Sequence, residues 1–298
     1  MIRSLFFAPA NRPDLLAKFP RFGADCCVID LEDGTPVAEK LSARRGLAQA
    51  IDELRNASLK GMLAVRVNVP GTEFHDDDVR VVLECNADAI VIPKLERMEQ
   101  LQHLVDLMQR QDKAGKQPKV IAGIESVRGV MAAPQLCAFG DPLVGVFFGA
   151  EDFAADIGGR RTRGGQEVMT ARSLVVMAAS AADIFAIDQA VVDIRDDALF
   201  MQDAASGQDL GYVGKTCLTP GQVKLANTAF TPSAEEVGTA RRLIDAYEAA
   251  IRSGVGTIDF EGKMIDIPLL ARAKATLARA NATHHFARQI KTFCRPGS

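Results

Sequence analysis

Apolar runs of strand length recur along most of the chain, at residues 4–9, 26–32, 63–68, 89–94, 120–126, 143–149, 183–188 and 212–219. Most are apolar at consecutive rather than alternate positions. That is the pattern of strands covered on both faces, as parallel strands are. Between the runs lie stretches with amphipathic helical spacing, at residues 14–22, 37–54, 76–84, 98–109, 130–139, 166–182 and 196–206. Strand–helix alternation predicts βα units and a parallel sheet. Eight such units favour a closed (β/α)8 TIM barrel over an open doubly wound sheet. No GxGxxG or GxxxxGKS/T stands ahead of any helix, which weighs further against the nucleotide-binding alternative. After the eighth run, helical patterns at 220–227, 233–253 and 268–282 predict a C-terminal helical extension. The expected division is a barrel over 1–227 and an extension over 228–298, with a polar tail from residue 284 that frays.

Composition narrows the classes. The 298 residues suit one large α/β domain with an extension, and 48% hydrophobic residues supply a sizeable core. A net charge of −3 gives no basic footprint for nucleic acid. Tryptophan is absent and aromatics make up 6%, so stacking platforms for bases are lacking too. Cys26, Cys27, Cys85, Cys137, Cys217 and Cys294 form no CxxC pair and read as reduced thiols. The start of the chain has too short an apolar run for a signal peptide, and no stretch approaches the roughly 18 apolar residues of a membrane span. The expectation is a cytoplasmic protein with no membrane partner.

Barrel enzymes build their sites at the C-terminal ends of the strands. Here those ends carry charge. The second run closes on Asp30, Glu32 and Asp33, the third on Arg66 and Asn68, the fourth on Pro93 and Lys94. The fifth closes on Glu125, the sixth on Glu151 and Asp152, the seventh on Asp188. Acids outnumber bases, and a cation relieves their repulsion. Oxygen ligands from adjacent strands suit Mg2+, which keeps several waters and takes one or two protein carboxylates. Glu125 and Asp152 are the expected metal ligands, with Mn2+ as the alternative ion. A single acid at a strand end is more often a helix cap or a surface ion pair. Glu151 reads as an acid pairing away from the metal, and Asp188 as a candidate loop cap. Arg66, inside a strand, requires an anionic partner. Lys94 reads either as a surface lysine or as the counter-ion of the acid cluster.

The ordered set "LFFAPANRPDLLAK", "DLEDGTPVAEKLSAR", "VRVN", "VIPKLE", "GIESVRGV", "FGAEDFAADIG", "GYVGKTCLTPGQV" and "GKMIDIP" resembles the HpcH/HpaI aldolase and citrate lyase β-subunit family. It is most similar to the family's stand-alone branch of malyl-CoA and citramalyl-CoA lyases. The resemblance implies a barrel that assembles as a homotrimer or hexamer, with the extension contributing to the oligomer and to a neighbouring active site. It implies Mg2+ on Glu125 and Asp152, and substrate contacts from Arg66, Glu125, Pro93 and Lys94. It places Glu32 and Asp33 near the metal's waters, and makes Asp266 an acid/base reaching the neighbouring subunit. The residues alone would make Asp266 a helix-capping acid. The activity implied is carbon–carbon cleavage of an acyl-CoA thioester into acetyl-CoA and a 2-oxo acid. A thioesterase on the same site, a class II aldolase acting on free 2-oxo acids, and a non-catalytic binding subunit are the rivals. Two departures stand out. Leu218-Thr219-Pro220 replaces the family's Ile-His-Pro, and "DLEDGT" replaces "DLEDAV". The loop at 158–165 carries Arg160, Arg161 and Arg163, read either as a holder of anionic groups or as a solvated loop.

Overall fold

A computed structural model describes residues 1–111 and 117–293, and for residues 282–293 the helical backbone alone. Cys294 and the rest of the tail beyond Phe293 lie outside the described residues. The chain divides into two compact units, one spanning Ile2–Phe230 and a second that begins at Thr231.

In the first unit the order is β1 (Ser4–Pro9), α1 (Pro13–Leu16), α2 (Phe19–Phe22), β2 (Cys26–Asp30), α3 (Lys40–Asn56), β3 (Met62–Arg66), α4 (His75–Glu84) and β4 (Ala89–Ile92). It continues with α5 (Met98–Arg110), β5 (Lys119–Ile124), α6 (Val127–Cys137), β6 (Leu143–Phe148), α7 (Ala150–Asp156), α8 (Gln166–Ala181), β7 (Phe185–Asp188), α9 (Asp197–Leu210), β8 (Gly214–Cys217) and α10 (Pro220–Ala229). The eight strands pair in sequence order, all parallel, and β1 pairs with β8 to close the barrel. β2 and β4 are buried at every position, which explains their unbroken apolar runs.

One parity of each strand packs outward against the helices, as with Ile29, Val65, Ile92, Ile124 and Phe148. The other parity fills the barrel. Phe7 of β1 meets Phe147 of β6 edge to face at 6.0 Å, although the two strands are not neighbours. Their rings therefore meet across the interior. The guanidinium of Arg66 lies 5.0 Å from the Phe7 ring centroid, which places it above that aromatic floor.

The helix at 150–156 was not expected from the pattern. It is seven residues long and follows an apolar strand directly, so no helical period has room to show itself. Helix α6 starts three residues earlier than its amphipathic stretch because Ser126 caps it, accepting from Gly129 N at 3.1 Å. In the second unit a Ser233–Glu236 capping box opens α11 (Ala234–Arg252), a two-stranded ribbon pairs β9 (Ile258–Phe260) with β10 (Lys263–Ile265), and α12 (Ile267–Phe293) packs on α11. Helix α12 runs on past the expected end at 282, as a continuation of the strong helix formers at residues 269–280.

Candidate active site at the barrel mouth

Arg66 ends β3 and is the register partner of Asp30 at the end of β2. Its guanidinium grips Asp30 with two prongs, Nε to Oδ1 at 2.7 Å and Nη2 to Oδ2 at 2.6 Å, while Nη1 lies 2.9 Å from Glu32 Oε2. This is the anionic partner that an arginine inside a strand demands. Burial works against its charge, but Asp30 and Glu32 outweigh burial and hold the guanidinium protonated.

Asp30 also shapes the loop that follows. Its Oδ1 accepts from Glu32 N and its Oδ2 from Gly34 N, both at 2.9 Å. A Cβ at position 34 would sit 2.3 Å from Asp30 Oδ2, so glycine suits this close approach. Thr35 Oγ1 donates to Asp30 O at 2.6 Å and accepts from Ala10 N at 3.1 Å, tying the loop to the end of β1. The "GT" departure in "DLEDGT" thus has a local structural basis. Beneath the loop, the buried ammonium of Lys40 donates to Leu31 O at 2.9 Å, to Glu32 O at 2.8 Å and to Asn68 Oδ1. Asn68 is held in turn by Asp78, which pairs with Arg44.

Lys94 stands where the acids meet. It follows the buried Pro93 and has φ of 48°, a left-handed backbone that costs a non-glycine residue about 1–3 kcal/mol. That turn lets its N–H donate to Glu125 Oε1 at 3.0 Å. Its ammonium donates to Glu32 Oε1 and Asp33 Oδ2 at 2.9 Å each, and lies 3.5 Å from Asp152 Oδ1. Burial opposes the ammonium's charge, but Asp33 and Glu32 raise its pKa. Burial raises the carboxyl of Glu32. At Asp33 the ammonium of Lys94 overcomes burial and lowers it.

Glu125 follows β5 directly. It is 3% exposed, and its carboxylate lies in a cradle of glycines. A Cβ on Gly123 would come 2.1 Å from its Oε1, and one on Gly149 would come 2.6 Å from its Oε2. Burial, with Asp152 and Glu32 nearby, pushes its carboxyl up to about 7 despite Arg66 and the Lys94 N–H. Asp152, in the first turn of α7, is 44% exposed and forms the outer rim of the mouth.

The donor set fits a hard divalent cation. Asp30, Glu32, Asp33, Glu125 and Asp152 supply five carboxylates against the two cations Arg66 and Lys94, leaving three negative charges uncompensated at full ionisation. Among the described residues, Glu125 takes a single hydrogen bond, from a backbone N–H, and Asp152 takes none. Among the same residues no three acids, histidines or cysteines form a protein-only metal cage. One or two protein carboxylates, completed by waters, are the donor set that Mg2+ accepts.

Other residues singled out in the sequence lie elsewhere. Asp188 is fully buried and caps no loop. It pairs with Arg172 of α8 and Lys215 of β8, which both also reach Asp203 of α9. A lysine inside β8 carries the same signal as Arg66 in β3, and sequence reading passed over it. Lys40 left no comparable signal, because a lysine near a helix start reads as solvated. Glu151 turns away from the mouth to Arg161, whose guanidinium is spent within the protein, while Arg163 pairs with Asp196. Thr219 caps α10, accepting from Gln222 N at 3.2 Å. In the second unit, Asp266 precedes α12 and its Oδ1 accepts from Leu269 N at 3.4 Å.

Comparison with known proteins shows what the chain resembles. Residues 3–220 match the family described as HpcH/HpaI aldolase/citrate lyase. A citrate lyase subunit beta-like protein of Deinococcus radiodurans is 39% identical over 93% of this chain and 97% of its own length. The mitochondrial citramalyl-CoA lyase of Homo sapiens is 29% identical over 94% of this chain and 86% of its own. Among solved structures, CitE from Mycobacterium tuberculosis in complex with magnesium, acetoacetate and coenzyme A superposes with a TM-score of 0.78 at 31% identity, covering 93% of this chain and 97% of that one.

Proposed function

The chain belongs to the HpcH/HpaI aldolase/citrate lyase family, and from that premise we propose a Mg2+-dependent lyase acting on a 3-hydroxy-3-carboxyacyl-CoA. Malyl-CoA and citramalyl-CoA are the substrates in view. The products are acetyl-CoA and a 2-oxo acid, glyoxylate or pyruvate, and the reverse reaction joins them. The observation that carries this reading is the charge deficit at the mouth, where Glu125 and Asp152 stand among further acids beside a buried, permanently charged Arg66.

Glu125 and Asp152 would hold the ion, Mg2+ or Mn2+, with Glu32 and Asp33 facing its waters. When bound, the ion supplies Lewis acidity and a template for the adjacent oxygens of the 2-oxo acid. The C3 hydroxyl gives up its proton to solvent as its oxygen becomes the carbonyl of the 2-oxo acid, and breaking the bond between C2 and C3 of the acyl chain leaves its electron pair on C2 as a thioester enolate. Arg66 faces that charge and is fixed by Asp30 before it develops, which is preorganised stabilisation. Lys94 and Pro93 border the same space, and Lys94 offers its ammonium to a substrate carboxylate. Asp266 of a neighbouring subunit delivers the proton to C2 in cleavage and removes it in synthesis. The homotrimer or hexamer and the sharing of the site are part of the proposal. So is cytoplasmic residence, in keeping with the five free cysteines among the described residues. Among those residues, no helix is long and apolar enough to cross a membrane.

The test is incubation with malyl-, citramalyl- and 3-hydroxy-3-methylglutaryl-CoA with and without Mg2+, products being read by mass spectrometry. Acetyl-CoA with glyoxylate or pyruvate is expected from the first two and no cleavage of the third, whose C3 bears no carboxylate, and Glu125→Ala or Asp152→Ala should abolish the cleavage while the fold persists. Free CoA with an intact hydroxy acid would mean a thioesterase. Full turnover after EDTA treatment would remove the metal from the scheme.

A further inference from the structure

The geometry points to Arg161 as a positioning residue that sets the roll of α7 and so aims Asp152 into the mouth; this rests on the reading of Asp152 as a metal ligand. Helix α7 has seven residues, and Gly149 at its N-cap offers no side-chain cap. Its orientation must therefore come from tertiary contacts. Three acids lie along it. Asp156 Oδ2 accepts from Val127 N at 2.8 Å, at the start of α6. Glu151 Oε1 accepts from Arg161 Nε at 2.9 Å. Asp152, between them, accepts no hydrogen bond among the described residues and has Lys94 at 3.5 Å as its ion-pair contact. Consecutive helical residues point about 100° apart, so fixing Glu151 on one side fixes where Asp152 points.

Arg161 is itself anchored on more than one side. Its Nη1 donates to Glu167 in the first turn of α8, and its Nη2 donates to Gln189 Oε1 at 3.3 Å, just past β7. Gln189 Nε2 donates to both oxygens of Asp203, at 3.0 and 3.2 Å. Asp203 belongs to the buried cluster of Arg172, Asp188 and Lys215. The clamp on α7 is thus grounded in the barrel wall at β7 and β8. Three N–H groups spread over a planar fork serve three partners, which a lysine cannot reproduce.

A through-space effect of charge and a positioning effect have opposite signs here. Removing a cation near a cation site strengthens metal binding by Coulomb's law. Removing a clamp weakens it, typically about 10–100-fold when the lost contact orients a ligand. The experiment is Mn2+ titration of the purified full-length protein by calorimetry, with thermal unfolding and steady-state kinetics alongside. Arg161→Gln should raise the Kd for Mn2+ about tenfold. The metal concentration needed for half-maximal rate should rise with it, while the melting temperature of metal-free protein changes little. Glu151→Ala should do the same, the double variant should be no worse than either, and Glu151→Gln should stay near wild type because its amide oxygen still accepts from Arg161. If Arg161→Gln fails to fold, the two Glu151 variants carry the test. Wild-type affinity in folded Arg161→Gln or Glu151→Ala overturns the inference, as does Glu151→Gln binding as weakly as Glu151→Ala. Failure of the wild type itself to bind Mn2+ overturns the proposed function, and this inference with it.

Discussion

Burial pushes the carboxyl of Glu125 up to about 7, and the neighbouring acids add to it. In an unfolded chain a glutamate releases its proton near 4.3, so between about pH 4.3 and 7 the folded protein binds more protons than the unfolded one. Stability from this group is therefore fully present at the acid end and is lost as pH rises through about 7, at a cost on the order of 3–4 kcal/mol. Glu125→Gln cannot ionise. In metal-free protein it should match wild type near about pH 4.5 and exceed it near about pH 8, as thermal melts across that range will read. Parallel pH slopes for the two proteins would disprove the assignment. Glu125 was legible in the sequence because an acid at the end of an apolar strand is costly without a partner, whereas Asp152, half-exposed in the first turn of α7, was legible only from its place just after the sixth apolar run. Lys40 was not, since nothing in "PVAEKLSAR" distinguishes a lysine bonded to two loop carbonyls from one in water.

At the scale of elements, the ends of neighbouring strands are stitched together by charge. Lys215 in β8 is fully buried and shared by Asp188 of β7 and Asp203 of α9. Lys215→Met removes their cation but leaves both carboxylates buried beside Arg172. The expected loss is about 3–5 kcal/mol of stability, measured by urea unfolding, because breaking a buried pair strands a charge. A loss below about 1 kcal/mol would show that Arg172 alone suffices. Gly149 tests the join between β6 and α7 differently. A Cβ there would meet Glu125 Oε2 at 2.6 Å and its Cγ at 2.7 Å, so Gly149→Ala should displace the carboxylate rather than unfold the chain. Weakened Mg2+ binding with a near-native melting temperature is expected, and wild-type affinity would refute it. The sequence displayed the strands plainly, through consecutive apolar positions. It hid α7, because seven residues hold two turns and three of them are acids directed to three different partners.

For the whole molecule, the count of eight βα units was legible from alternation, and the closing pair of β1 with β8 follows from it. The roles of the second unit were not, since Asp266 within one chain is a helix-capping acid, as its residue type suggests. Its catalytic assignment comes from family resemblance and is testable by mixing subunits. Arg66→Ala and Asp266→Ala should each be inactive alone, and exchanged together they should regain part of the wild-type rate, because some sites then receive both residues intact. Silence after verified subunit exchange would confine each site to one chain. The rings of Phe7 and Phe147, which touch across the interior beneath Arg66, bear on traffic. They make the mouth a dead end with a single doorway. For the cleavage proposed above, such a floor predicts that the fragment nearer the door leaves first, and product-inhibition patterns that are not ordered would refute it.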